Sequence, residues 1–500
     1  MTIKELQNKC LHLKTPTMKK IIRFLPLLTI PIFASCSSEV LPPQVEVQPT
    51  TPPVVNLPST TGNETLLPPL YPFSDKSYFI KGESSVTSNV DISAFFQGNN
   101  TPNLGSIINN GEKLNMIAMG GGLTAGVRNG GLYRVGQMTS FPNLVAWQMG
   151  MNNFQSPLFS ASEANGTGYL ALVDDGSSYP TWKEVKNNVA TVKAGSPPAL
   201  TKYQGNSAQN YGLPENGGLT IAGRLVNTET LDLLGNRWSI GGVFASRILP
   251  DGIDDKSVSL REQILKQPIN FYLLEDDSDM LISLIKNNGN ALSSFGYEKY
   301  SIGPNVLRST IELLKEKAKA DKGVVFTWPI ITDLAYFNWY TLEDLKTKAK
   351  SISINGTSTD MLFIPSQTVD ILFRNLKKGD DVFTVLPTST FLNTQVLNNN
   401  TQFIKQYNDR IRALVKEKGL AIVDLEKIYH QIHLNQYISA DGFKIDGGTR
   451  GNFFSADGIY PTAIGQAVIA NEVIKAINQT YNATIPQINL QAYSKLVGTE

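Results

Sequence analysis

Residues 113–126 read KLNMIAMGGGLTAG, and the character of this stretch decides the architecture. Its first half, Lys113–Gly120, is a short apolar run that glycine closes, without the polar–apolar alternation of a half-exposed strand. Such a run fits a strand buried on both faces of a parallel sheet. Four further runs share that character: GLTIAG at 218–223, NFYLLED at 270–276, GVVFTWPI at 323–330 and GLAIVD at 419–424. Amphipathic patterns lie between and after them. Val306, Leu307, Thr310, Ile311, Leu314 and Ala318 make one stripe over 304–322, behind Pro304. Phe403, Tyr407, Ile411, Leu414 and Val415 make a second over 401–418, which Gly419 stops. Ile464, Ala467, Val468, Asn471, Ile474 and Ile477 make a third over 462–478, after Pro461. Strand and helix in alternation predict an α/β fold, doubly wound around a mainly parallel five-stranded sheet flanked by helices. Sites in such folds lie in the loops at the carboxyl ends of the strands.

Two of those loops carry recognisable blocks. The first is Gly120-Gly121-Gly122-Leu123-Thr124-Ala125-Gly126, and the last is Asp457-Gly458-Ile459-Tyr460-Pro461-Thr462. With GGLYRVGQMTSFPNLVAWQM at 130–149, GVVFTWPIITDLAYFN at 323–338 and the long ending from Phe453 to Tyr493, the chain resembles the SGNH (GDSL-type) ester hydrolases. More closely it resembles a subgroup of bacterial outer-membrane lipoproteins within that family. The resemblance runs through most of residues 113–494 and implies the family's three-layer, flavodoxin-like sandwich.

It also implies a degenerate centre. Where the family has a nucleophilic serine this chain has Gly122, which carries no attacking group. The oxyanion-hole glycine of the second block falls on Gly223 and is kept. The asparagine of the third block falls on Ser278, within Asp276-Asp277-Ser278-Asp279. The aspartate of the last block is kept as Asp457, and its histidine is replaced by Tyr460. A phenol with a pKa of about 10 is protonated at neutral pH and is a poor general base. Seryl chemistry needs hydroxyl, base and oxyanion donors together, so no intact catalytic set is expected. Thr124 is also present in active members, where it is structural. The loop around Gly122 is expected to be strained enough that a restored serine destabilises it.

Other residues were weighed for chemistry. Trp328, Tyr336 and Trp339, with Phe337 and Tyr340, crowd the segment after the fourth strand. They fit either a ligand-facing patch for sugar, peptide or lipid, or the packing of a long loop. Glu275, Asp276, Asp277 and Asp279 fit a solvated acidic loop better than a Ca²⁺ site, because no EF-hand glycine accompanies them. His430 and His433, an i, i+3 pair, fit a surface or half-buried pair better than a metal site. No metal and no cofactor is expected.

The front end gives the expected address. Met18-Lys19-Lys20-Ile21-Ile22-Arg23 is a basic n-region, Phe24 to Phe33 an apolar core, and Ala34-Ser35-Cys36 resembles a lipobox. The apolar part is shorter than the ~20 residues of a spanning helix. The expected organisation is therefore an N-terminal extension at 1–17 ahead of a start at Met18, and a lipoprotein signal peptide at 18–35. A lipidated Cys36 with a Pro/Thr-rich tether follows at 36–72, then one SGNH-like domain at 73–500. The lipid anchor at Cys36 places the protein on the outer membrane, on its periplasmic face or at the cell surface. With 44 basic against 43 acidic residues, no concentrated positive field supports nucleic-acid binding. Two cysteines exclude a disulfide scaffold. The expected function is a non-catalytic module that binds a ligand (glycan or lipid) or docks into an outer-membrane protein complex. The alternative is an active ester hydrolase of the family, a lipase, acylhydrolase or deacetylase with an atypical site.

Overall fold

The computed structural model describes residues 102–498, apart from 110, 174, 194–198, 206, 215–243, 245–246, 249–261, 276–278, 280–303 and 357–360. At its centre is a five-stranded sheet built from β1 (Met116–Gly120), β2 (Asn210–Gly212), β3 (Phe271–Leu274), β4 (Gly323–Phe326) and β5 (Ala421–Val423). Every pairing is parallel, and the order is β2-β1-β3-β4-β5. The chain therefore winds outward from β1 in both directions, and the switch point falls between β1 and β3. Ala118 pairs with Leu273, which pairs in turn with Val324. β1, β3 and β4 are buried along their whole length, as their unbroken apolar runs require.

Five helices matter most here: α1 (Phe141–Gln148), α2 (Asn305–Leu313), α3 (Thr394–Lys418), α4 (Leu425–His433) and α5 (Ala463–Tyr481). α5 packs on α1 and on β5. The Phe141 ring lies 5.2 Å from Phe326, and the Tyr481 ring lies 5.8 Å from Phe271. Pleating puts Phe271, Leu273, Val324 and Phe326 on that same side of the sheet. Tyr272, Leu274 and Val325 point the other way and are equally buried. α2 and α3 are tied together by a two-pronged Arg308–Glu417 bridge at 2.7 and 2.8 Å and by Lys418–Glu312 at 2.9 Å. Helix ends follow the sequence chemistry. Asn393 caps α3 by accepting from Val396 N–H at 2.9 Å, and Gly419, at φ 67°, ends it. Thr462 caps α5 by accepting from Gly465 N–H at 3.0 Å.

Two features differ from the expected organisation. The strand expected at 218–223 lies outside the described residues, and the place beside β1 belongs to Asn-Tyr-Gly at 210–212. A three-residue strand with one large apolar side chain leaves no periodic signal. There is also a second, smaller core between β4 and α3. Tyr340, Leu345, Ile354, Phe363, Val369, Leu372, Phe373 and Val382 form it, apart from the main cluster. A hairpin, Tyr169–Val173 with Thr181–Val185, reaches across to this core. Tyr179 stacks on Tyr340 at 5.5 Å, and Trp182 meets Trp339 edge-on at 5.8 Å. Arg374 donates to Pro180 O at 2.7 Å.

Candidate functional site

The carboxyl ends of β1 and β3 meet at the switch point, so the loop after Gly120 faces the residues after Leu274. That loop makes one helical turn, Gly122–Ala125, closed by Gly126 at φ 86°. A turn of this kind leaves its first backbone N–H groups without partners inside the helix. Here two carboxylates from beyond β3 take them. Glu275 accepts from Gly121 N–H at 3.2 Å, from Thr124 N–H at 3.2 Å and from the Thr124 hydroxyl at 2.5 Å. Asp279 accepts from Gly122 N–H through both oxygens, at 3.0 and 2.9 Å. Both acids are only 1 % exposed, so these are charge-assisted bonds away from solvent.

The last block completes the arrangement. The Tyr460 hydroxyl donates to Asp279 at 2.7 Å, and its ring fills the space over Gly122. A Cβ built on Gly122 would stand 2.5 Å from the Tyr460 oxygen and 2.8 Å from its Cζ. Gly122 is not among the positive-φ glycines. Glycine is therefore demanded there by space and not by backbone conformation, which corrects the expectation of a strained turn. Asp457 sits three residues before Tyr460 and turns inward. It accepts from Gly130 N–H at 2.8 Å, Ile459 N–H at 2.8 Å and Tyr460 N–H at 2.9 Å. Burial pushes its carboxyl above the ordinary range, and those N–H groups oppose the push. Its retention is thus explained by the loop it holds. Beside it, Gly458 at φ 70° lets the chain pass against Tyr336, whose N–H donates to Gly458 O at 2.8 Å.

The chain matches no family model, no curated protein and no solved structure. What the centre can do therefore rests on its geometry. Gly122, Asp457 and Tyr460 are brought to one place, as their positions in the blocks imply, while Gly223 and Ser278 lie outside the described residues. So do Cys36, Asp276 and Asp277. At the Gly122 turn there is no nucleophile at position 122 and no histidine at position 460. The Gly122 N–H, the kind of donor that would steady an oxyanion, already holds a carboxylate.

The expected aromatic patch is corrected. Trp328 is buried and lies against Tyr407 at 4.6 Å. Tyr336 is buried, with its hydroxyl 3.3 Å from Pro365 O. Trp339 is buried in the second core beside Trp182. All three rings pack the interior, so they present no ligand-facing surface. The acidic loop is corrected too: Glu275 and Asp279 are buried partners of the glycine turn, not solvated charges. The signal for this was available in outline, since a switch point sets the end of β3 beside a donor-rich glycine loop. His430 is 59 % exposed, with Nδ1 3.2 Å from Asp333, and His433 is half-buried. Among the described residues no cluster of His, Cys, Asp and Glu is fit to hold a metal ion, and no helix is long and apolar enough to cross a membrane.

Proposed function

We propose that this chain is a non-catalytic relative of the SGNH ester hydrolases, anchored to the outer membrane by lipid on Cys36, whose α/β body serves as a ligand-binding or protein-docking module. The three-layer sandwich of that family is the finer fold this reading assigns. The strand order and the meeting of the Gly122 and Tyr460 loops at the carboxyl end of the sheet support it. The observation that carries it is the internal occupant of the centre: Asp279 bonded to Gly122 N–H and held there by Tyr460. A bound carboxylate repels a second negative charge, so an oxyanion developing at this donor would be opposed. The glycine at 122 and the tyrosine at 460 fit one another sterically, as in a centre repacked after catalysis was lost. The basic and apolar segment from Met18 to Phe33, ahead of Ala34-Ser35-Cys36, supports the address.

The test is hydrolysis of a short-chain aryl ester by the purified protein and by its triple variant Gly122→Ser, Ser278→Asn, Tyr460→His. The native protein is expected to stay at the buffer rate and the variant to gain turnover. Native turnover well above buffer would overturn the reading in favour of an atypical ester hydrolase. For the address, metabolic labelling with a fatty acid should mark the native protein and leave Cys36→Ala unlabelled.

A further inference from the structure

A cavity of about 440 Å³ opens beside the closed centre and shares none of Gly122, Asp279 or Tyr460 among its lining residues. Its walls come from the segment after the glycine turn, from the first strand of the 169–185 hairpin, and from the residues just before Asp457. The volume lies in the range of small-ligand sites. Its charge is one-sided: Arg128 and Arg450 line it, and among its described lining residues there is no aspartate or glutamate. Arg128 is 1 % exposed, and its Nε donates to the Tyr133 hydroxyl at 2.8 Å, which fixes the guanidinium plane. Arg450 is exposed at the rim, where it donates to Ser177 O at 3.2 Å. Tyr133 and Tyr169 stack at 4.3 Å and supply an aromatic wall. Asn165 and Thr449 bring neutral hydrogen-bonding groups.

The wall is held rigidly. Asn129, at φ 54°, takes a conformation uncommon for a non-glycine residue. Its side chain donates to Tyr133 Oη at 3.0 Å and accepts from Ala456 N–H at 2.8 Å. One residue thereby clasps two sides of the cavity. Guanidinium groups recognise carboxylate and phosphate oxygens in pairs, and aromatic faces and neutral polar groups suit a sugar ring. We propose that this cavity binds an anionic hexose, with its acidic group between Arg128 and Arg450 and its ring against the Tyr133–Tyr169 wall. The proposal rests on the ligand-binding branch of the function given above and names its ligand class.

Isothermal titration of the full purified protein with glucuronate, glucose 6-phosphate, glucose and inorganic phosphate tests it. Glucuronate or glucose 6-phosphate should bind at least tenfold more tightly than glucose or phosphate alone, and the preferred one of the two identifies the acidic group. Affinity should fall with added salt. Arg450→Ala, at an exposed position, should lower affinity at least tenfold with an unchanged melting temperature, and Tyr169→Ala should weaken it as well. Equal binding of glucose, equal binding of bare phosphate, no binding of either acidic sugar, or full affinity in Arg450→Ala would each overturn the proposal. The ester assay on the same sample separates the two conclusions. Native hydrolysis with intact sugar binding would remove the non-catalytic reading and leave the cavity, whereas a silent protein that binds no acidic sugar would do the reverse.

Discussion

Restoring the missing hydroxyl, Gly122→Ser, should destabilise this protein. The new Cβ would lie 2.5, 2.8 and 2.9 Å from three atoms of the Tyr460 side chain, closer than packed carbon tolerates. The ring cannot simply swing aside. Tyr460 is 6 % exposed, its N–H is held by Asp457, and its hydroxyl is held by Asp279. Overpacking of this kind costs about 1–3 kcal/mol. If the ring yields, the bond to the buried Asp279 carboxylate goes with it, for about 1.5–3 kcal/mol more. A modest gain of about 0.4–1 kcal/mol from a stiffer unfolded chain offsets part of this, because φ at 122 is not positive. The net loss is thus about 2–5 kcal/mol, read as a lower urea midpoint at constant m. A double-mutant cycle isolates the cause. In a Tyr460→Ala background the ring is gone, and the same serine should cost almost nothing. Coupling should therefore exceed about 1 kcal/mol. A serine that costs equally in both backgrounds would refute the steric account, and an unchanged midpoint in the native background would refute the crowding itself.

Further expectations follow from neighbouring contacts. Tyr460→Phe keeps the ring but removes the donor to Asp279, and should lose about 1.5–3 kcal/mol in denaturant titrations. Asp457 has a folded pKa raised by burial, so its contribution to stability is full below its unfolded value near ~4 and is lost as pH rises through the folded one. The stability of the native protein relative to Asp457→Asn should accordingly fall from pH 4 toward neutrality, and a flat or rising difference would contradict the buried-acid assignment. Trp182→Ala removes the contact with Trp339 and the bond to Ala456 O at 2.9 Å. Because Trp182 is only partly buried, the loss should stay below the ~3–5 kcal/mol of a fully buried tryptophan. Limited proteolysis should then cut first within residues 340–393.

What the sequence disclosed depended on length and burial. β1, β3, β4 and β5 stand out because buried parallel strands must be apolar throughout, as in Met116–Gly120 and Gly323–Phe326. β2 was hidden because Asn210–Gly212 contributes one large side chain. The second core was hidden for a related reason. Its strands, such as Ser351–Ile354 and Met361–Phe363, are three or four residues long and half exposed, so neither alternation nor an apolar run builds up. In the centre, block order alone placed Gly122 near Tyr460. It could not say that Asp279, 157 residues away, fills the donor site, because that contact comes from sheet topology. Nor did composition mark Trp328 as interior, since aromatic residues serve cores and clefts alike.

The interlock of Gly122, Tyr460 and Asp279 also has a historical meaning. A lost nucleophile alone leaves a hole that one mutation refills. Once a tyrosine ring has grown into that hole and a carboxylate has settled on the vacated donor, each separate step back leads through a less stable protein. Serine first meets the ring, and histidine first abandons the buried acid. Such a centre works as a ratchet: selection on folding alone keeps it shut, long after any selection against the old reaction has ceased.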